Sequence, residues 1–346
     1  MSIGSLDRQL FLAGEEITDL TESVSVGTVS YPEWGSMPVS SPASFRVASN
    51  GLDFRPWNPV SLVYGLKNRD IALELLQGGN VRWTGTLEDL TTDPGAYRAS
   101  LRGETRLTRA INRNGRVDTD ELTPAEAAER LLNLQGVATD SASFARAAAI
   151  LQALPVRVRV RPDVVNWQGT TGDILQLLCN AGLLRMGIGP DGAVRCQAWQ
   201  DDTEPPGIAS ITDDLIQSWP QTEAIQFQPL DGYSITNLYF VDSFNAEADN
   251  VLSFDFGPNS AVQMVDAIAS TYCGSQWQAL HSKEWIRVRV AVDRAFGLSI
   301  INDDWIQLDS ASLGVDAPMQ VDGYDDSDAR WITIIGRMDK NIIGGP

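Results

Sequence analysis

The chain has 346 residues, with 26 Lys or Arg against 45 Asp or Glu and a formal net charge of −19. At 43% hydrophobic residues it holds apolar material for two or three cores, since single cores rarely grow past roughly 250 residues, and its aromatic content excludes extended disorder. An acid excess of this size argues against a surface that grips a phosphate backbone, which is held by Lys and Arg. The three cysteines, Cys179, Cys196 and Cys273, are widely spaced and form no CxxC pair, so neither a disulfide framework nor a structural zinc site follows. The N-terminus lacks a basic segment followed by an apolar one, and no stretch approaches about 18 apolar residues. The expectation is a chain made and folded in the cytosol, with no membrane-spanning segment.

From Arg8 to about Gly103 the pattern is strand-like: Phe11–Ala13, Val24–Val29, Ser44–Ser49, Trp57–Tyr64, Val81–Leu87 and Tyr97–Gly103, punctuated by Gly, Pro and Asn. At Thr123-Pro124-Ala125-Glu126 an N-cap hydroxyl, a proline at the first helical position and a Glu three residues on announce a helix that Gly136 stops. Thr139-Asp140 announces a second helix through Leu151. Val156–Arg161 reads as a strand, and Thr170–Asp173 opens a third helix closed by Gly182. A hairpin follows, with Gly189-Pro190-Asp191-Gly192 as its turn. Beyond Thr222 strands return, with one helix expected from about Ala261 to Cys273, then strands at Trp285–Val292, Trp305–Leu308, Met319–Tyr324 and Trp331–Gly336. The fold class is α+β and mostly β: two tube-like β-barrels at 1–115 and 223–346, with a mixed α+β insertion at 116–222. An internal repeat supports the two barrels. It matches the strands at 44–49, 58–62, up to Gly85 and up to Gly103 with those at 285–292, 302–308, up to Gly323 and up to Gly336, in order and not in identity.

The turn Asn58-Pro59-Val60 feeding a strand, then Trp83-Thr84-Gly85-Thr86-Leu87, then Ala99-Ser100-Leu101-Arg102-Gly103 resembles the opening barrel of phage baseplate hub proteins. Thr123–Ala128, the segment Gly172–Leu177 with its hairpin at Pro190-Asp191-Gly192, and the closing Asp304–Leu308, Val321–Tyr324 and Trp331–Ile334 are similar to their later pieces. The resemblance covers most of the chain and rests on the order of the motifs. It implies a homotrimer with two barrels per subunit, joining a hexameric tail tube or distal tail protein ring to a threefold tip and framing the DNA exit channel. DNA is then only a passing cargo, and the location is the virion tail tip, assembled in the host cytoplasm with other tail-tip proteins. The chain stops at Pro346 directly after the second barrel, so a fused fibre or lytic domain is not expected. The competing readings are a hexameric distal tail protein, and a glycan- or pilus-binding adhesin or glycosidase of a tail tip.

Chemistry is sparse. One histidine, His281, excludes an HExxH zinc site, and nothing marks a base beside any cysteine, so no catalytic residue, cofactor or metal site is expected. The loop Asp322–Asp328 is rich in acid but lacks EF-hand spacing and reads as a solvated turn. Charge placement says more. No Lys or Arg falls between Arg195 and Lys283, while Arg98, Arg102, Arg106, Arg109, Arg113 and Arg116 recur every three or four residues, either as a solvated helix face or as a subunit interface where Arg pairs with an acidic neighbour. Glu88, Asp89, Asp325, Asp326 and Asp328 are the acids expected to face a channel.

Overall fold

The computed structural model describes residues 8–26, 29–30, 33–38, 42–48, 54–66, 70–77, 79–93, 98–114, 117–161, 163, 169–189, 191–199, 209–225, 228–266, 268–300, 305–325 and 331–339. The chain divides into two compact units, the first comprising Met1–Val29, Val39–Arg109 and Ile188–Ala193, the second Ser30–Pro38, Ala110–Gly187 and Val194–Pro346. The architecture is α+β and mostly β.

The first unit holds a seven-stranded sheet. Its strands are β1 (Arg8–Leu12), β2 (Glu15–Glu16), β3 (Thr21–Val26), then, after a two-residue strand β4 (Val29–Ser30), β5 (Ala43–Ala48), β6 (Ala72–Gln77), β7 (Asn80–Asp93) and β8 (Arg98–Glu104), arranged β2-β1-β6-β7-β8-β5-β3. Every pairing in this sheet is antiparallel. Period-two alternation sets its faces: Ala43, Phe45 and Val47 of β5 and Ala99 and Leu101 of β8 are buried, while Ser44, Arg46, Arg98, Ser100 and Arg102 are exposed. The buried face joins Leu10, Leu12, Leu73, Leu75, Trp83 and Leu87 in one core. Trp83 lies over two residues that have no side chain to displace it: a Cβ on Gly85 or on Gly103 would come within 2.5 Å of its ring.

One expected strand is absent. Residues 57–64 form a succession of turns instead, with the N–H groups of Asn58, Ser61 and Tyr64 donating to the carbonyls of Arg55, Asn58 and Ser61 at 2.9–3.1 Å. Asn58 and Ser61 also accept from the N–H groups of Val60 and Val63, so short polar side chains satisfy the backbone locally and outcompete the ladder.

Into the second unit the chain continues through α1 (Arg106–Ile111), β9 (Thr119–Leu122), α2 (Pro124–Leu134), α3 (Ser141–Gln152), β10 (Val158–Val160), α4 (Thr171–Gly182), β11 (Leu184–Ile188) and β12 (Val194–Ala198). The caps form as the sequence predicts. Thr123 Oγ1 accepts from Glu126 N while Glu126 accepts from Thr123 N, and Thr170 and Asp173 repeat this reciprocal box on α4. Gly182, expected to end α4, is inside it, and Leu183 takes the left-handed cap at φ 45. The glycine serves close packing, since a Cβ there would lie 2.9 Å from Pro124 Cβ at the start of α2.

The remaining elements are β13 (Ser210–Thr212), β14 (Gln221–Ile225), β15 (Gly232–Thr236), β16 (Val241–Phe244), β17 (Val251–Asp255), β18 (Val262–Met264), α5 (Ala269–Ser282), β19 (Trp285–Asp293), α6 (Arg294–Ile300), β20 (Trp305–Ser310), β21 (Val315–Asp325) and β22 (Trp331–Asp339). The helix expected at 261–273 is thus displaced. Residues 262–264 are a fully buried strand paired with β10, and the helix begins at Ala269. A short apolar run carries no periodicity that separates the two.

The repeat is plain in the strand order. The first unit contains β1-β6-β7-β8-β5-β3 and the second β13-β20-β21-β22-β19-β14. Strand β6, and not the turn-rich 58–62 segment, takes the place of β20. Both copies carry a bulge at the same place: Leu87 opposes Gly103 and Asp89 opposes Arg102, while Val321 opposes Gly336 and Gly323 opposes Ile335. Glu88 and Asp322 are therefore the extra residues of equivalent bulges. One difference stands out, in that β1 runs antiparallel to β6 and β13 parallel to β20.

Candidate assembly surfaces and a buried charge cluster

The arginine series does not form one helix face. Arg98 and Arg102 project from the exposed face of β8, because a spacing of four keeps two residues on one side of a strand as well as of a helix. Arg106 and Arg109 lie on the six-residue α1, and Arg113 follows it; Arg116 lies outside the described residues. Glu22 on β3 pairs with both Arg98 at 2.7 Å and Arg46 at 3.5 Å. Arg102 reaches Glu104 at 3.0 Å, and Arg109 sits between Asp70 and Glu88. Arg106 and Arg113 are exposed, with no ion pair among the described residues. The series thus separates into arginines committed within the sheet and two that are available.

Of the expected channel acids, Glu88 is the bulge residue held by Arg109 at 2.9 Å. Asp89 is exposed in a shallow groove of about 200 Å³, which crosses β3, β5, β7 and β8 and is lined by Ser23, Ser25, Ser44, Thr91, Ser100, Arg46 and Arg102. That groove is rich in hydroxyls and mixed in charge. Asp325 is half-buried at the end of β21, and Asp326 and Asp328 lie outside the described residues.

A cluster that pattern reading missed lies in the second unit. Asp322, expected on a solvated turn, is 5% exposed on the β21 bulge. Arg337 Nε donates to both its carboxylate oxygens at 2.9 and 2.8 Å, and Arg337 Nη1 donates to Glu33 at 3.1 Å. Arg185 on β11 donates to Asp322, to Gln197 Oε1 and to the Val321 carbonyl, and its guanidinium lies 4.7 Å above the Trp34 ring. Both guanidiniums are essentially inaccessible. Burial on its own pulls the Arg337 pKa down, and the charges of Asp322 and Glu33 more than reverse it, so the group is held charged beyond its ordinary range. Two buried cations meet the buried Asp322 and the half-exposed Glu33, which Arg287 also approaches at 3.8 Å, so the inner charges are matched by opposite ones, the condition under which buried charge is tolerated. The one sequence cue is Arg185 inside an otherwise apolar strand.

All three cysteines are free and buried. Burial raises the Cys179 thiol well above its ordinary value and pushes Cys273 up to about 12, which leaves neither as a thiolate nucleophile. His281 Nδ1 is 2.9 Å from the Gln228 carbonyl. Among the described residues no group of three His, Cys, Asp or Glu side chains is placed to hold a metal ion, and no helix is long and apolar enough to cross a membrane.

No family model matches the sequence, and no curated protein does. Solved structures do match in fold. The 43 kDa tail protein of prophage MuSo2 from Shewanella oneidensis aligns over 96% of this chain and 98% of its own, at a TM-score of 0.53 and 10% identity. A tail protein from Neisseria meningitidis aligns over 97% of both chains, at a TM-score of 0.53 and 11% identity. The fold is shared with these two tail proteins over nearly the whole length.

Proposed function

We propose that the chain is a non-enzymatic baseplate hub of a phage tail: a homotrimer in the virion that joins the hexameric tube, or its distal tail protein ring, to a threefold tip and frames the DNA exit channel. The observation that carries this reading is the duplication. A chain with two sheets of one strand order brings six comparable sheets together when three copies assemble, and six is the number a hexameric tube presents. The shared fold of whole tail proteins supports the setting, and the inert cysteines support a role without chemistry.

Copy number in the purified particle tests it. Three copies per tail are expected; six would replace this reading with the distal tail protein, and a free monomer with an adhesin or glycosidase.

The same particles test the surfaces. Arg106→Glu with Arg113→Glu is expected to lower particle yield several-fold while the isolated chain melts as before, because both side chains are exposed and unpaired among the described residues. Arg109 is left intact, since its pairs lie within the first unit. Unchanged yield would remove these arginines from the interface. The other arginines of the series, Arg98, Arg102, Arg109 and Arg116, are proposed to contribute beside them. Glu88, Asp89, Asp325, Asp326 and Asp328 are proposed to face the channel, where negative charge keeps the duplex from being held by counterion release. Asp89→Lys should then slow genome ejection at normal yield, and unaltered ejection kinetics would count against that placement.

A further inference from the structure

The three-stranded sheet β16-β15-β17 ends at β16, whose partner on one side is β15 and whose other side is an open edge among the described residues. Natural sheets blunt such edges with charge or proline. Here the edge carries large exposed apolar groups around its one acid, Asp242: Val241 is 58% exposed and Phe244 56%. Tyr239 and Phe240, 65% and 46% exposed, sit on the turn that leads into it.

The turn and the Tyr239 ring are held in place. Asn237, 1% exposed, accepts from the N–H groups of Tyr239 and Phe240 at 2.8 and 2.9 Å and donates to Ser270, and the Tyr239 hydroxyl donates to the Val265 carbonyl at 3.0 Å. A turn fixed in its backbone and a tethered Tyr239 ring beside an unpaired edge lower the ordering cost of a contact there.

The charge around the edge selects the occupant. Asp231, Asp242, Glu247, Asp249, Asp255 and Asp266 lie on or beside these strands, and none has an ion pair among the described residues. Asp242, on β16 itself, has a buried carboxylate oxygen without a hydrogen-bond partner.

We infer that β16 is a docking edge for an extended segment of another protein, one that alternates Arg or Lys with apolar residues and adds to the sheet as a further strand. Main-chain hydrogen bonds along the edge give affinity in this mode, and alternate side chains give specificity. A second copy of this chain is a poor occupant. Among the described residues its segments with that pattern, β10 with Arg159 and the flanking Arg157 and Arg161, and β19 with Arg287 and Arg289, are centred on inner strands already paired on both sides. This edge is independent of the trimer and of the hub assignment.

The test uses the full chain and a short synthetic peptide alternating Arg and Val, read by fluorescence anisotropy. Saturable binding that weakens as salt rises is expected, since exposed charge pairs are screened. Val241→Lys and Phe244→Lys should each weaken it about tenfold or more, and a peptide methylated at alternate backbone nitrogens should lose it. Because Phe240 lies outside the strand ladder, Phe240→Lys serves as a third variant should either strand change alter the melting temperature. Absence of binding, equal binding of a Glu–Val peptide, or affinity unchanged in all three variants overturns the proposal. Self-association of the chain that Val241→Lys abolishes also overturns it, in favour of a second copy.

Discussion

Asp322→Ala should lower the stability of the second unit by about 3–5 kcal/mol, the cost of leaving buried charge without its partner. Arg185 and Arg337 both converge on this carboxylate, so its removal strands two cations and leaves Glu33, which is half exposed, as the remaining counter-charge. In a unit of this size the melting midpoint falls by roughly 6–20 °C. Asp322→Ala combined with Arg185→Met and Arg337→Met should recover much of the loss, because apolar side chains of similar volume need no counter-ion. Urea unfolding of the single and triple variants decides the matter. A single substitution costing under about 1 kcal/mol, or a triple variant weaker than the single one, would show that the cluster does not hold the unit together.

In the first unit the corresponding weak point is apolar. Trp83→Ala should cost about 3–5 kcal/mol, the range for emptying a large aromatic site in a close-packed core. Trp83 packs against Phe45 with ring centroids 5.8 Å apart and is 3% exposed. Strands β7 and β8 are shaped around it by two glycines, so Gly103→Ala drives a methyl group into the indole. That substitution should be destabilising in the native chain and much less so beside Trp83→Leu, which withdraws the ring. A double-mutant cycle measures the coupling. Additive effects of the two changes would mean that Gly103 is needed for its backbone and not for the ring.

Where the determinants of structure are local, residue pattern was a sufficient guide. The boxes at Thr123 and Thr170 and the hairpin between β11 and β12 each depend on residues a few positions apart. The alternation in β5 and β8 likewise declares which face is wet. The failures have a different origin. Residues 57–64 carry strand-like apolar content, but Asn58 and Ser61 bond the backbone of their own turns. The spacing of Arg98 and Arg102 is shared by one face of a helix and one face of a strand, so it could not choose between them. The buried cluster was illegible for a third reason: Arg185 and Asp322 are 137 residues apart, and neither is recognisable as a core residue until the fold supplies the other.

The two equivalent bulges answer differently to ionic strength. Glu88 meets Arg109 where both side chains are partly accessible, at 40% and 32%, and dissolved ions enter between such charges as the screening length contracts from about 10 Å at 0.1 M to about 3 Å at 1 M. Asp322 and its guanidiniums are closed to those ions. Brine therefore slackens the clasp at the Glu88 bulge more than that at the Asp322 bulge, where salt reaches only the outer, Glu33 side of the cluster, so that one strand order carries a bulge tuned to its medium beside one largely sheltered from it.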